Sequence, residues 1–189
     1  MKAFGEDEGV KIDLAHGMLL TGLVAANKPK TILEIGLGGG QSCDAILRGL
    51  EYNQQPFEYT IVDNWMDWNG QRPAGVNEKY AERCNIIDSG EKEFVFSTDK
   101  TFDFIMSDGD HHSADQWFEY VYSNLLNDNG ILVYHDINVF NEPDSFPNLV
   151  HIYTKCKEYN ISHHLFNANS LATERCQRGL LIIFKHETA

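Results

Sequence analysis

The segment Thr31–Gly40 joins a short apolar run to a glycine-rich turn, and it constrains the fold more than any other part of the chain. The apolar run is typical of a buried strand, and Gln41–Leu50, which follows the turn, is typical of a helix. A turn without side chains at such a junction brings backbone N–H groups close to a ligand at the helix N-terminus. The segment therefore predicts a ligand site between a strand and a helix of an α/β domain.

Two glycine patterns are compatible with such a turn, and they indicate different cofactors. The dinucleotide fingerprint, started at Gly36, requires a third glycine where this chain has Gln41. The chain instead has an acid followed by glycines at alternate positions, which resembles motif I of the class I S-adenosylmethionine-dependent methyltransferases. The residues that this resemblance assigns to the cofactor are Glu34, Gly36, Gly38 and Gly40. An NAD-dependent oxidoreductase is the alternative that this motif leaves open.

The remaining apolar runs predict the architecture. Strand-like runs alternate with helical or loop segments at Tyr59–Val62, Asn85–Ile87, Phe102–Met106 and Ile131–Tyr134, which indicates a parallel sheet. Ile161–Phe166 and Gly179–Phe184 add two strands, and the irregular linker 167–178 between them favours an antiparallel pair. We predict one domain over residues 1–189, an α/β Rossmann-like three-layer sandwich. Its sheet has seven strands, is mostly parallel and ends in a C-terminal antiparallel hairpin, as in the methyltransferases.

Two helices carry boundary signals. A helix is expected to begin after a cap at Asp13, and another is predicted over Ser113–Leu126. In the second helix Ser113 and Gln116 have the spacing of a capping box, and the apolar residues repeat with a helical period. Asn127–Gly130 is expected to end that helix.

The charge of the chain excludes several partners. With a formal net charge of −13 and a pI near 4.9, it is a poor match for nucleic acid phosphate or an anionic membrane surface. The cysteines are scattered without CxxC spacing, and the N-terminal residues 1–11 are acidic without an apolar signal core. We therefore expect a cytoplasmic protein with reduced thiols and a small or neutral substrate. Whether it forms a homo-oligomer is left open.

Acidic residues recur where strands are predicted to end. In an open parallel sheet, ligands bind outside the carboxyl ends of the strands, and the residues at those ends are Glu34, Asp63, Asp88, Asp108 and Asp136. Carboxylates suit the sulfonium, ammonium and ribose hydroxyls of S-adenosylmethionine by charge and hydrogen bonding. Asp63 would serve the ribose of NAD equally well.

The resemblance extends to the residues beside two of these acids. Asp63, Asn64 and Trp65 match the ribose and adenine contact of the methyltransferase superfamily, and Asp88 and Ser89 match its adenine contact. The loop 65–76, which contains Pro73 and Gly75, is a candidate lid over the site.

The most distinctive block is Phe102–His112. One predicted helix later, Ile131–Ile137 is a second apolar run that leads into a histidine and an aspartate. Asp108 and Asp136 could hold a divalent cation, with Asp110 or His135 completing the set. Such oxygen-rich donors favour Mg²⁺, Mn²⁺ or Ca²⁺ over zinc. A histidine just beyond an acidic strand end is placed to remove a proton from a hydroxyl, which makes His111 and His112 candidate bases.

This block is similar to that of the methyltransferase 24 group, which includes macrolide-sugar O-methyltransferases and proteins labelled cephalosporin hydroxylase and is related to the catechol type. The resemblance implies that Asp108 and Asp136 are metal ligands, that Asp108 also contacts the cofactor, and that His111 is the general base. The chain departs from the catechol type at Ile137, where that type has asparagine, and from the sugar enzymes at His135, where those have an acid. A metal-dependent hydrolase and a non-catalytic cofactor-binding domain are the remaining alternatives.

Overall fold

The fold is seen in a computed structural model that describes residues 14–137, 146–166 and 179–187. The helices are α1 (Leu14–Asn27), α2 (Gln41–Asn53), α3 (Val76–Tyr80), α4 (Glu91–Ser97), α5 (Phe118–Tyr120) and α6 (Pro147–Glu158). The strands are β1 (Thr31–Ile35), β2 (Glu58–Asp63), β3 (Asn85–Asp88), β4 (Phe102–Ser107), β5 (Leu126–Ile137), β6 (His163–Phe166) and β7 (Gly179–Phe184).

The strands form one sheet in the order β3-β2-β1-β4-β5-β7-β6. β1 to β5 pair in parallel, whereas β7 runs antiparallel to both β5 and β6. The strand order reverses between β1 and β4, and in open α/β sheets the crevice at such a point is where ligands bind. The predicted seven-stranded sheet with its antiparallel C-terminal pair is confirmed.

Helices cover both faces of the sheet because successive strand residues point to opposite sides. In β1, Ile32 packs with the cluster that includes residues of α1 and α2, whereas Leu33 and Ile35 pack with residues of α4 and α6. These three side chains are at most 2 % exposed. Burying one such side chain stabilises a fold by about 1.5–3 kcal/mol. The three-layer prediction is therefore confirmed.

The prediction of one regular α-helix over Ser113–Leu126 is wrong, because the segment consists of three short turns of different helical type. The segment is a 3-10 turn at Ala114–Gln116, a single α turn, and a π-helical turn at Val121–Leu125. The predicted capping box does not form, since the Ser113 side chain makes no capping hydrogen bond. Tertiary contacts explain the distortion, because the indole N–H of Trp117 donates to Glu91 at 2.8 Å.

β5 is longer than the sequence predicts. It begins at Leu126, so the expected turn Asn127–Gly130 lies within its bounds. The segment is nevertheless irregular: Asn129 has a φ of 62°, and the register between β4 and β5 shifts near Phe102.

Two expectations fall outside the described residues, namely the cap at Asp13 and the linker 167–178. Within the described ranges, no helix combines the length and the apolar character that a membrane span requires.

Candidate functional site

The glycine turn and the loop after β4 touch at the carboxyl edge of the sheet. Gly36, Gly38 and Gly40 all have positive φ, at 82°, 52° and 81°. A Cβ added at Gly36 would lie 2.4 Å from the carbonyl oxygen of Asp108. Only glycine therefore fits at position 36, and the close approach brings the predicted cofactor loop against the acidic loop.

The carboxylate of Asp63 fixes the glycine turn from the adjacent strand. Its Oδ2 accepts the backbone N–H groups of Leu37 at 2.8 Å and Gly38 at 3.4 Å, and its Oδ1 accepts that of Trp65 at 2.6 Å. Burial raises the pKa of Asp63 above its ordinary value, although these N–H donors partly offset it. The next residue, Asn64, is exposed, and its side chain accepts the N–H of Met66.

Glu34, for which motif I implies a cofactor contact, makes its hydrogen bonds inside the fold. Its side chain is fully buried on the α2 side of the sheet. There it accepts hydrogen bonds from the hydroxyls of Ser42 and Tyr59, the latter at 2.7 Å. Strand periodicity explains this direction, since Glu34 lies on the same face of β1 as Ile32. Its contact with the cofactor stays a prediction. The carboxylate ties the start of α2 to β2 beneath the glycine turn.

Burial raises the pKa of Glu34 to about 7. The hydrogen bonds from the Ser42 and Tyr59 hydroxyls lower this pKa, but they offset only part of the effect of burial. The folded chain therefore binds a proton that the unfolded chain has lost between pH 4.5 and 7. Stability attributable to this group falls as the pH rises through that window and stays low above it. The difference between the two pKa values, 4.5 and about 7, corresponds to a loss of about 3 kcal/mol in the free energy of unfolding.

We predict that the unfolding free energy of Glu34→Gln, relative to that of wild type, rises by about 2–3 kcal/mol from pH 5 to pH 8. The reason is that wild type loses stability as Glu34 ionises, whereas glutamine cannot ionise. Urea unfolding at both pH values measures the difference. The control is Glu58→Gln, which alters an exposed carboxylate on β2 and should change stability by less than about 0.5 kcal/mol at either pH. A wild-type profile that parallels that of Glu34→Gln would show that Glu34 does not titrate in this window.

Trp65 is a packing residue in this structure rather than an accessible stacking surface. Its side chain is 1 % exposed, and its indole N–H donates to Asp88 at 2.6 Å. Its φ of 57° is unusual for a bulky residue and turns the chain away from β2. In this conformation the ring of Trp65 is therefore not accessible to a ligand, and its predicted part in the ribose and adenine contact stays a prediction.

Asp88 is also held by the candidate lid. Arg72 contacts its Oδ1 at 2.7 Å and donates to the carbonyl oxygen of Ile86 at 3.0 Å. Ser89 donates its hydroxyl to the carbonyl oxygen of Gly90. The lid segment is thus anchored to the end of β3 in the structure described.

The second half of the site is a cluster of two carboxylates and two imidazoles at the ends of β4 and β5. His111 Nε2 lies 3.2 Å from Asp108 Oδ1 and 3.5 Å from Asp136 Oδ2. His135 Nδ1 lies 3.1 Å from Asp108 Oδ1 and 3.2 Å from Asp136 Oδ1. Of the residues predicted for metal and base, Asp108, Asp136 and His111 are therefore brought together.

A backbone irregularity aims Asp136 into the cluster. Its φ is 60°, and the register between β5 and β7 shifts between Tyr134 and Ile137. A bulge redirects side chains in this way, and aspartate tolerates the left-handed conformation better than most residues.

The charges of the cluster are mutually dependent. Burial acts to raise the pKa of Asp108, but the neighbouring His135 and His111 hold it well below its ordinary value. Burial likewise acts to lower the pKa of His111, but the hydrogen bond to Asp108 and the charges of Asp108 and Asp136 outweigh it and raise the value. The two carboxylates therefore stabilise the protonated form of His111 relative to an isolated histidine.

The donor set fits a divalent cation. Among the described residues, Asp108, His135 and Asp136 offer ligand atoms that all lie within 4.8 Å of one another. Asp110, the tentative third ligand, is not in this group. Its carboxylate instead accepts the N–H of His112 at 2.9 Å in a local turn.

Glu91, on the first turn of α4, was not predicted from the sequence as a site residue. It is 8 % exposed, and its carboxylate accepts the backbone N–H of Asp110 at 2.9 Å and the indole N–H of Trp117 at 2.8 Å. It thereby ties the loop of Asp108 to α4. No local motif signals this role, because the partners are 19 and 26 residues away.

We predict that Glu91→Gln destabilises the fold by about 1–3 kcal/mol, because the amide replaces one acceptor with a donor that faces an N–H group. The amide of Asp110 should also exchange faster with deuterium. Urea unfolding and hydrogen exchange measure the two effects. The control is Glu93→Gln, on the exposed side of the same helix, which should change neither. Wild-type protection at Asp110 in Glu91→Gln would contradict the role.

The comparisons with known proteins agree with the fold described above. The model of the methyltransferase 24 family, described as a methyltransferase domain, matches residues 33–137. These residues run from β1 to the end of β5 and include every predicted site residue. No curated protein sequence matches the chain.

Solved structures share the fold at low sequence identity. The O-methyltransferase from Bacillus cereus, in complex with SAH, is 16 % identical with a TM-score of 0.71, over 94 % of this chain and 84 % of that one. A SAH-bound methyltransferase from Podospora anserina is 17 % identical with a TM-score of 0.71, over 94 % and 80 %. An O-methyltransferase from Streptomyces achromogenes involved in tomaymycin synthesis, in complex with SAM, is 12 % identical with a TM-score of 0.73, over 95 % and 83 %.

Proposed function

Because this chain belongs to the methyltransferase 24 family, we propose that it transfers a methyl group from S-adenosylmethionine to a hydroxyl oxygen of a small molecule. The observation that carries the proposal is the close contact between the glycine turn and the Asp108 loop. A cofactor on the turn would lie beside the acid–histidine cluster, which consists of Asp108, His111, His135 and Asp136. The three O-methyltransferase and methyltransferase structures with bound SAM or SAH support the choice of cofactor.

The glycine turn fits this cofactor in its shape. Positive φ values at Gly36, Gly38 and Gly40 leave the backbone of the turn without side chains, and Asp63 holds Leu37 and Gly38 in place. S-adenosylmethionine supplies an electrophilic methyl group on a sulfonium centre. The protein contributes alignment, because methyl transfer is an in-line displacement in which positioning lowers much of the barrier.

The cluster would activate the acceptor. Asp108, His135 and Asp136 would hold a divalent cation, which when bound lowers the pKa of a substrate hydroxyl. His111 would accept the hydroxyl proton at Nε2, the atom that faces both carboxylates. His111 also stacks on Phe146, with ring centroids 4.7 Å apart, which limits its rotation.

The net charge of −13 supports a small, neutral acceptor over nucleic acid or a membrane surface. The acceptor that we propose is therefore a small-molecule hydroxyl compound.

Calorimetry with S-adenosylmethionine, S-adenosylhomocysteine and NAD, each with and without a divalent cation, tests the proposal. We expect both sulfur compounds to bind and NAD not to bind. Transfer of a labelled methyl group to a panel of small hydroxyl compounds then separates an enzyme from a cofactor-binding domain. NAD binding with a nicotinamide absorbance change would indicate the oxidoreductase, and cation-dependent ester or amide cleavage the hydrolase.

A further inference from the structure

His16, on α1, contacts the acid–histidine cluster through His135. Its Nδ1 lies 3.2 Å from His135 Nε2, and the two rings meet edge to face with centroids 5.3 Å apart. The side chain of His16 is buried, with a residue exposure of 1 %. The contact joins residues 119 positions apart in the sequence.

Both ring nitrogens of His135 are therefore engaged in the described structure. Nδ1 faces the carboxylates of Asp108 and Asp136, at 3.1 and 3.2 Å, and Nε2 faces His16. A neutral imidazole can coordinate a cation through Nδ1 only when its proton is on Nε2. The atom placed to accept that proton is His16 Nδ1.

Histidine suits position 16 because its Nδ1 can either donate or accept a hydrogen bond. The contact with His135 is thus maintained whichever nitrogen of His135 carries the proton. In known metal sites, the second nitrogen of a ligating histidine bonds to such a partner, which fixes the tautomer and the ring orientation.

A nitrogen ligand also affects which cation the site prefers. Carboxylates suit Mg²⁺, Ca²⁺ and Mn²⁺, whereas imidazole suits iron, nickel, copper and zinc. Among the cations that carboxylates suit, Mn²⁺ is the transition metal, so it gains most from an added nitrogen ligand. We propose that His16 is a positioning residue that holds His135 as the nitrogen ligand of a first-row divalent cation, with Mn²⁺ bound in preference to Mg²⁺. The inference rests on the cation site of the proposed function.

A role in packing alone is the competing explanation, because His16 also meets the ring of Phe166 edge to face at 5.8 Å. Two variants separate these roles. His16→Phe keeps a planar ring and its contacts but removes the nitrogen. His16→Asn loses the ring but keeps a polar atom near the position of Nδ1. If His16 positions His135, His16→Phe should weaken cation binding more than His16→Asn. If His16 only packs, His16→Asn should weaken it more.

The test uses the full chain, freed of metal by a chelator and titrated with Mn²⁺ or Mg²⁺. Bound Mn²⁺ is followed by electron paramagnetic resonance and Mg²⁺ by competition. We expect wild type to bind Mn²⁺ at least about tenfold more tightly than Mg²⁺. His16→Phe should weaken Mn²⁺ binding about 10- to 100-fold, and His16→Asn should stay within roughly threefold of wild type.

Pulsed measurements on bound Mn²⁺ report a coordinated imidazole nitrogen directly. Wild type should show this nitrogen signal, and His135→Asn should lose both the signal and the preference for Mn²⁺. Absence of the signal in wild type, equal affinity for the two cations, or Mn²⁺ binding that survives His16→Phe but not His16→Asn would overturn the inference. Binding of S-adenosylhomocysteine by the same preparations is scored separately, so failure of the proposed methyl transfer is distinguishable.

Discussion

Gly36→Ala is expected to lower the free energy of unfolding by about 2–5 kcal/mol, with a fall in Tm of roughly 10 °C. Two effects add. A φ of 82° costs a residue with a Cβ about 1–2 kcal/mol. The new Cβ would also lie 2.4 Å from the Asp108 carbonyl oxygen and 2.8 Å from the Gly109 nitrogen. Both are backbone atoms, so the two loops must separate.

Gly70→Ala is the matched control for this prediction. Gly70 has a similar φ of 73°, but a Cβ added there meets no atom within 4 Å. This variant should therefore lose only the conformational contribution, about 1–2 kcal/mol. Thermal and urea unfolding of the two variants then isolate the steric contribution at Gly36. Equal losses would show that the contact between the loops yields without cost.

The same substitution should abolish measurable binding of S-adenosylhomocysteine, provided that the proposed cofactor is correct. Calorimetry at a temperature well below the Tm of Gly36→Ala separates this effect from unfolding. A folded Gly36→Ala that binds the cofactor with wild-type affinity would contradict the assignment of the turn as its site.

The strand ends were predictable because they depend on local pattern. Apolar runs bounded by glycine or acidic residues predict strands, and in a parallel sheet their carboxyl ends share one edge. Asp63 and Asp88 are indeed register partners between β2 and β3. Asp108 directly follows β4, and Asp136 lies near the end of β5. Both carboxylates lie within 3.5 Å of His111 Nε2.

The direction of each side chain was less predictable than its position. Glu34 and Asp63 both belong to strands next to the glycine turn, yet Glu34 is buried below it and Asp63 bonds to it. A shift of one residue along a strand moves a side chain to the other face. Motif resemblance gives residue identity, but the register of β1 decides the contact.

Long-range partners were not predictable at all. Glu91 and His16 reach the site from helices, and neither belongs to a recognisable motif. The distorted segment 113–126 has a similar cause, since Asp115 accepts hydrogen bonds from Asn148 and His151 of α6. Tertiary contacts of this kind override local helix signals.

His111→Ala is expected to lower kcat for methyl transfer by about 10²- to 10⁴-fold, which is the usual contribution of a general base. Cofactor affinity should change little, because His111 contacts the two carboxylates and Phe146 rather than the glycine turn. The measurement combines single-turnover methyl transfer with calorimetry of S-adenosylhomocysteine. His112→Ala is the control, since His112 is exposed and bonds to Asp110 only through its backbone N–H.

The pH dependence of the same reaction distinguishes a base from a structural contact. A base must be neutral, so kcat should fall as the pH drops below the pKa of His111. The carboxylates of Asp108 and Asp136 raise that pKa above 6.5, so in enzyme without added cation this limb should lie at higher pH than for an isolated histidine. In His111→Ala the limb should disappear together with most of the rate. A His111→Ala variant that keeps wild-type turnover, or keeps the acid limb, would remove His111 from the mechanism and leave it as a counter-ion that holds Asp108 and Asp136 together.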